Sequence, residues 1–151
     1  MESFETLETC RKIEEKCAVI YWECSRLFPE ATDLFRDLAI EEENHAVILK
    51  LARTYVKYEK LHVSPIALEH IREAEQAVEA MLEALKSGAL ALKQALEMSL
   101  ALEQSTGESY LRDMMTGNPG SEIIAKLQEM LADEGSHIER IQAFIEKQGV
   151  R

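Results

Sequence analysis

Four long stretches of the chain place their inward residues at alternating spacings of three and four, the period of a helix that buries one face. The first stripe is Leu7, Cys10, Glu14, Cys17, Tyr21, Cys24 and Phe28. The second is Phe35, Leu38, Glu42, His45, Leu49, Ala52 and Val56. The third is Leu92, Leu96, Ser99, Glu103, Thr106, Tyr110 and Met114, and the fourth is Ile123, Leu127, Met130, Glu134, His137, Ile141 and Phe144. The pattern predicts helices over residues 3–27, 30–59 and 89–116, and a fourth from a cap at Ser121 to residue 148. Pro29 stops the first helix and suits the opening turn of the second. Gly117-Asn118-Pro119-Gly120-Ser121 is the strongest turn signal in the chain, and Gly149 closes the last helix.

Short turns join the first pair of helices and the second pair, so each pair is expected to form an antiparallel hairpin. The connection between the pairs, residues 60–88, is long. It holds Pro65 and a helical stretch of its own, 66–86, ending at Ser87-Gly88. The expectation is one all-α domain over residues 1–151, a four-helix bundle of two hairpins with a helical crossover. Composition agrees: the acid is nearly all glutamate, 24 Glu against 4 Asp, and glutamate favours helix far more than aspartate.

The formal charge of −11 disfavours a nucleic-acid backbone or an anionic lipid surface as partner, because both require clustered positive charge. No apolar run approaches the roughly 18 residues of a membrane span. The N-terminal Met-Glu-Ser-Phe-Glu-Thr lacks the basic start and apolar run of a signal peptide. Three cysteines with no Cys-x-x-Cys pair fit a reducing compartment, so a cytoplasmic location is expected.

Each of the four stripes carries a glutamate near its middle, and two carry a histidine one turn later. Four carboxylates facing one interior repel one another and cost several kcal/mol each when unpaired. The stripes contain no Lys or Arg to offset them. Two divalent cations would: they bring +4 against −4, and two neutral imidazoles complete the donor set. Carboxylate with imidazole suits iron or manganese, and also zinc. Spacing of i, i+3 lets the Glu and His of one Glu-x-x-His reach the same point.

One Glu-x-x-His in so glutamate-rich a chain is weak; Glu59-x-x-His62 is such a chance match, read as solvent-exposed. His70 has Ala67 in the corresponding place. The duplication is the stronger signal. Glu14 precedes Tyr21 by seven residues, as Glu103 precedes Tyr110. Glu42-x-x-His45 follows the first pair and Glu134-x-x-His137 the second. This is an internal repeat of one helical hairpin.

The ligand set, one Glu from each of two helices and Glu-x-x-His from the other two, is that of ferritin-like di-iron carboxylate proteins. The stretches Ile13-Glu14 to Tyr21, Leu38-Ala39-Ile40-Glu41-Glu42-Glu43-Asn44-His45-Ala46 and Leu131-Ala132-Asp133-Glu134-Gly135-Ser136-His137 resemble the rubrerythrin family over nearly the whole chain. The resemblance implies a ferritin-like bundle holding two iron ions, with Glu42 and Glu134 bridging, Glu14 and Glu103 terminal, and His45 and His137 each capping one metal. It further implies reduction of peroxide or dioxygen in oxidative-stress defence, with iron oxidation and storage as the alternative. The chain departs from the family in two places. It has no four-cysteine rubredoxin-like site, so an external electron donor, rubredoxin-like or other, is expected. Where rubrerythrins carry a further carboxylate one turn beyond the third-helix Glu, it has Thr106. A homodimer or higher homo-oligomer is expected.

Tyr21 and Tyr110 are read as core residues whose hydroxyls bond to ligand carboxylates. Cys10, Cys17 and Cys24 share one face, seven residues apart. Apolar filling is favoured for them over a redox role, and about 10.5 Å per seven residues prevents mutual disulfides. The five methionines from Met81 to Met130 are read as core fillers. Trp22 marks a flank or a dimer surface, and Glu69, Glu73, Glu75, Glu79 and Glu83 a solvated face.

Overall fold

A computed structural model describes residues 3–59, 65–106 and 122–149, apart from the side chains of some helical residues within them. Among these residues there are five α-helices and no strand: α1 (Ser3–Leu27), α2 (Thr32–Glu59), α3 (Pro65–Lys86), α4 (Leu92–Thr106) and α5 (Glu122–Gln148). No helix among them is long and apolar enough to cross a membrane.

The expected first hairpin forms, with one refinement at its turn. Pro29–Ala31 is a 3-10 turn, and α2 proper starts at Thr32 rather than at residue 30. Thr32 explains the boundary: its hydroxyl donates to the Ser25 carbonyl at 2.9 Å, tying the start of α2 to the end of α1. From that clasp the helices run antiparallel. Tyr21 stacks on Phe35 with ring centroids 6.0 Å apart, and farther from the turn Glu14 faces His45. Phe28 tilts against Phe35 at 6.4 Å, so three aromatic rings close the core beneath the glutamates.

Pro65 occupies the first position of α3, where its missing N–H costs nothing. The crossover is a packed helix in its own right. Ile71, Ala74, Val78 and Met81 repeat at three, four and three, and all four are buried. Glu69, Glu73, Glu75, Glu79 and Glu83 lie on the exposed side. The helix ends where Gly88 takes φ +72°, a conformation that disfavours a Cβ. Three residues then pass before α4 begins at Leu92, later than the expected 89. The Gln94 side-chain carbonyl accepts the Ala91 N–H at 3.1 Å, half of a capping box, and so sets that start.

The helices contact one another in a closed ring, α1 to α2 to α5 to α4 to α3 and back to α1. Every member of the first predicted stripe is buried, from Leu7 to Phe28. On α2 the same holds from Phe35 to Ala52, and on α4 for Leu96, Ser99 and Glu103. On α5, His137 and Ile141 are buried, with Phe144 packed beside them. The second half of the expected third helix, the Gly117–Ser121 turn, Tyr110 and His62 lie outside the described residues. So do the side chains of Val56, Thr106, Ile123, Leu127, Met130 and Glu134.

Candidate metal centre

Five of the six expected metal ligands meet in the core. Glu14 comes from α1, Glu42 and His45 from α2, Glu103 from α4 and His137 from α5, and all five are at most 1% exposed. The sixth, Glu134, is on α5 one turn before His137, with its side chain outside the described residues. Three carboxylates at the bottom of a core are unusual, since ionised groups are rarely fully buried without partners. The other fully buried polar residues are Thr6 and Ser99, so among the described residues no Lys or Arg is buried with them.

The five side chains form two groups that share one member. Glu14, Glu42 and His45 bring donor atoms within 4.8 Å of one another, and so do Glu42, Glu103 and His137. Glu42 serves both through different oxygens. Its Oε1 lies 2.9 Å from His137 Nδ1, and its Oε2 lies 3.7 Å from His45 Nδ1. In the first group Glu14 Oε2 is 3.9 Å from His45 Nδ1. In the second, Glu103 Oε2 is 3.3 Å from His137 Nδ1. Ligand bonds of about 2.0–2.2 Å at tetrahedral to octahedral angles place neighbouring donors about 2.8–3.6 Å apart. The observed spacings lie close to that range. Acidic oxygens and neutral imidazoles in two triplets fit a pair of divalent transition ions in charge and in donor type.

Why the chain delivers these atoms is a matter of helical register. Glu42 and His45 are one turn apart on α2, so their side chains leave the helix on one face. Glu14 and Tyr21 are two turns apart on α1, which places the tyrosine on the same face of the helix as the glutamate. Tyr21 is fully buried, and its hydroxyl donates to Glu103 Oε1 at 2.5 Å, across the bundle from α1 to α4. Burial first, and then the charge of Glu103, pushes the phenol well above its ordinary pKa, so it stays a donor. This is the carboxylate-bonding role expected for it. Tyr110 lies outside the described residues.

Two further residues stand beside the centre that the periodicity of a single helix does not mark. Glu41 Oε2 lies 3.1 Å from His137 Nε2, the ring nitrogen turned away from Glu42 and Glu103. The Arg140 guanidinium donates to that same Glu41 oxygen. Both residues are about one third exposed, in the seam between α2 and α5. The available signal was the spacing His137-x-x-Arg140, which puts a cation one turn from the histidine. Its acidic partner could not be chosen among the three consecutive glutamates Glu41, Glu42 and Glu43 without knowing how α5 docks on α2. Glu43 takes another path and accepts the Trp22 indole N–H at 2.5 Å on the outer face.

The three cysteines are free and buried. Burial raises the Cys10 thiol well above its ordinary value, with the charge of Glu14 adding to it. The Cys24 thiol is pushed up to about 12 by burial and by Glu23. Thiols held protonated in this way are poor nucleophiles. No family model, curated protein or solved structure matches the chain.

Proposed function

We propose that this chain is a rubrerythrin-like member of the ferritin-like di-iron proteins, in which α1, α2, α4 and α5 form the four-helix bundle and α3 the crossover. Its function is reduction of peroxide or dioxygen in defence against oxidants, in the cytoplasm, as a homodimer or larger homo-oligomer. One observation carries the reading: a single buried carboxylate, Glu42, turns one oxygen to each of two Glu/His groups.

Glu14 and His45 would hold one ion, Glu103 and His137 the other, and Glu42 both. Glu134 joins as a second bridge by the resemblance. When bound, iron would supply two-electron redox chemistry. Manganese or zinc fits the same donors. The chain's own part is to hold the carboxylates, exclude bulk water and orient Glu103 through the Tyr21 hydroxyl. Reducing equivalents come from an external donor, rubredoxin-like or other.

Iron oxidation and storage is the second reading. All three cysteines sit buried on α1, so this chain offers no four-cysteine electron-transfer site. Elemental analysis of protein purified without oxygen and without a histidine tag, followed by repeated additions of peroxide and reductant, tests both. About two irons per chain that cycle repeatedly support the enzyme. Iron accumulating beyond two per chain supports storage. No transition metal after anaerobic iron loading removes both readings.

A further inference from the structure

His137 faces three carboxylates, one of them from outside the two buried groups. Its Nδ1 faces Glu42 and Glu103 at 2.9 and 3.3 Å. Its Nε2 faces Glu41 at 3.1 Å. A neutral imidazole carries one proton, so one nitrogen donates and the other offers a lone pair. Only the tautomer protonated at Nε2 presents a lone pair to the two buried carboxylates and to anything bound between them.

The outer carboxylate decides between the tautomers. Glu41 has its Oε2 on the Nε2 side of the ring, and Arg140 donates to that same oxygen. Arg140 stands one turn beyond His137 on α5 and Glu41 adjoins Glu42 on α2, so the two helices supply the histidine, its acceptor and the acceptor's anchor together. Among the described residues, the other acceptors near the ring are Glu42 and Glu103, both on the Nδ1 side. They would draw the proton to the nitrogen that has to be bare.

We infer that Glu41, fixed by Arg140, is a positioning residue for His137: it accepts the Nε2–H hydrogen bond and so leaves Nδ1 as the donor atom of the Glu42–Glu103 group. The inference rests on the two-metal reading above. It adds a carboxylate–histidine pair beyond the direct ligands, of the kind that sets ring orientation and ligand basicity in metal sites.

Zinc is the probe, because it is diamagnetic and takes the same donors. Protein with nitrogen-15 in its imidazoles is loaded with zinc, and the protonation and ligation of each ring nitrogen are read by NMR. Zinc affinity is measured by competition with a chelator. Helicity is checked for every variant. In the wild type, His137 should bind through Nδ1 and show a slowly exchanging Nε2 proton. In Glu41→Ala that proton should exchange rapidly, ligation should divide between the two nitrogens, and affinity at one of the two sites should fall about 10- to 100-fold. Glu41→Gln keeps an acceptor oxygen and should restore the tautomer and most of the affinity, whereas Glu41→Leu, which fills comparable space without an acceptor, should behave as Glu41→Ala. Arg140→Ala should act in the same direction as Glu41→Ala, more weakly. Wild-type protein that binds two zinc ions while Glu41→Ala keeps both tautomer and affinity within twofold would overturn this inference alone. Wild-type protein that takes up no zinc would overturn the two-metal reading and the inference with it.

Discussion

His45 and His137 stack face to face in the core, 5.5 Å between ring centroids and 23° between planes, although they stand on α2 and α5. Glu42 reaches both rings, one oxygen to each. The arrangement makes the two groups separable at their outer members and inseparable at Glu42. His45→Ala and His137→Ala should therefore each lose about one of two bound metals per chain. Glu42→Ala should lose both while keeping its helicity. Elemental analysis beside far-ultraviolet circular dichroism measures this, and retention of both metals by Glu42→Ala would refute the ligand assignment.

Tyr21 bears on Glu103 rather than on a histidine. Its hydroxyl crosses from α1 to α4, and both partners are fully buried. Tyr21→Phe keeps the ring that stacks on Phe35 and removes only the donor. Loss of a hydrogen bond to a buried charged acceptor costs about 1.5–3 kcal/mol. Chemical denaturation of the metal-free protein should show a loss of that size with an unchanged slope. The variant should still bind two metals, because no proposed ligand is removed. A variant as stable as the wild type would mean that Glu103 finds another donor.

The thiols give a test in pH. Burial and the charge of Glu23 push the Cys24 thiol up to about 12 in the folded chain, from an ordinary 9.0. Its raised value means that the folded state holds the proton more tightly than the unfolded state. The associated stability is complete below about pH 9 and is lost as pH rises through about 12. Unfolding followed from pH 8 to 11 should show stability falling with pH, and Cys24→Ala should flatten that slope whatever its stability at pH 8. At pH 8 the buried thiol is held protonated, so alkylation of the native protein should be far slower than of the denatured protein. Rapid native alkylation at Cys24 would contradict the burial.

The stripes on α1 and α2 were legible because both helices bury one narrow face, and a period of three and four identifies such a face without knowledge of the partner. That is why Glu14, Tyr21, Glu42 and His45 were found together. Glu103 and His137 were found through duplication, since the same offset from glutamate to tyrosine recurs in both halves. The start of α4 was misjudged by three residues, because Ala89 to Ala91 are compatible with helix and only the Gln94 cap decides against it. Glu41 was missed for a different reason. It lies on the flank of α2, where one α-helical step of about 100° separates it from Glu42. Flank residues acquire partners only when two helices dock at a definite angle, which periodicity along one helix does not carry.

The last prediction sets function against stability at Glu42. In the metal-free chain, three carboxylates and two imidazoles share a core that otherwise holds apolar side chains, Thr6 and Ser99 among the described residues. Burying a carboxylate is costly even when it is well partnered, and replacing buried ionic groups by apolar residues of similar volume is often neutral or stabilising by about 1–4 kcal/mol. Glu42→Leu keeps the volume and the helix propensity. Removing this carboxyl group takes one of three buried acids from the core, while His137 retains Glu103 and Glu41. The metal-free variant should therefore melt at or above the temperature of metal-free wild type. Metal reverses the order. A ligand at about 100 times its dissociation constant adds about 2.7 kcal/mol to a folded state that alone binds it. Wild-type protein should gain that stability with ferrous or manganous ion, and Glu42→Leu should gain almost none. The two melting curves should thus exchange places when metal is added. A Glu42→Leu variant well below wild type in the absence of metal would show that Glu42 is there to hold the fold, and that the core carboxylates are a structural network.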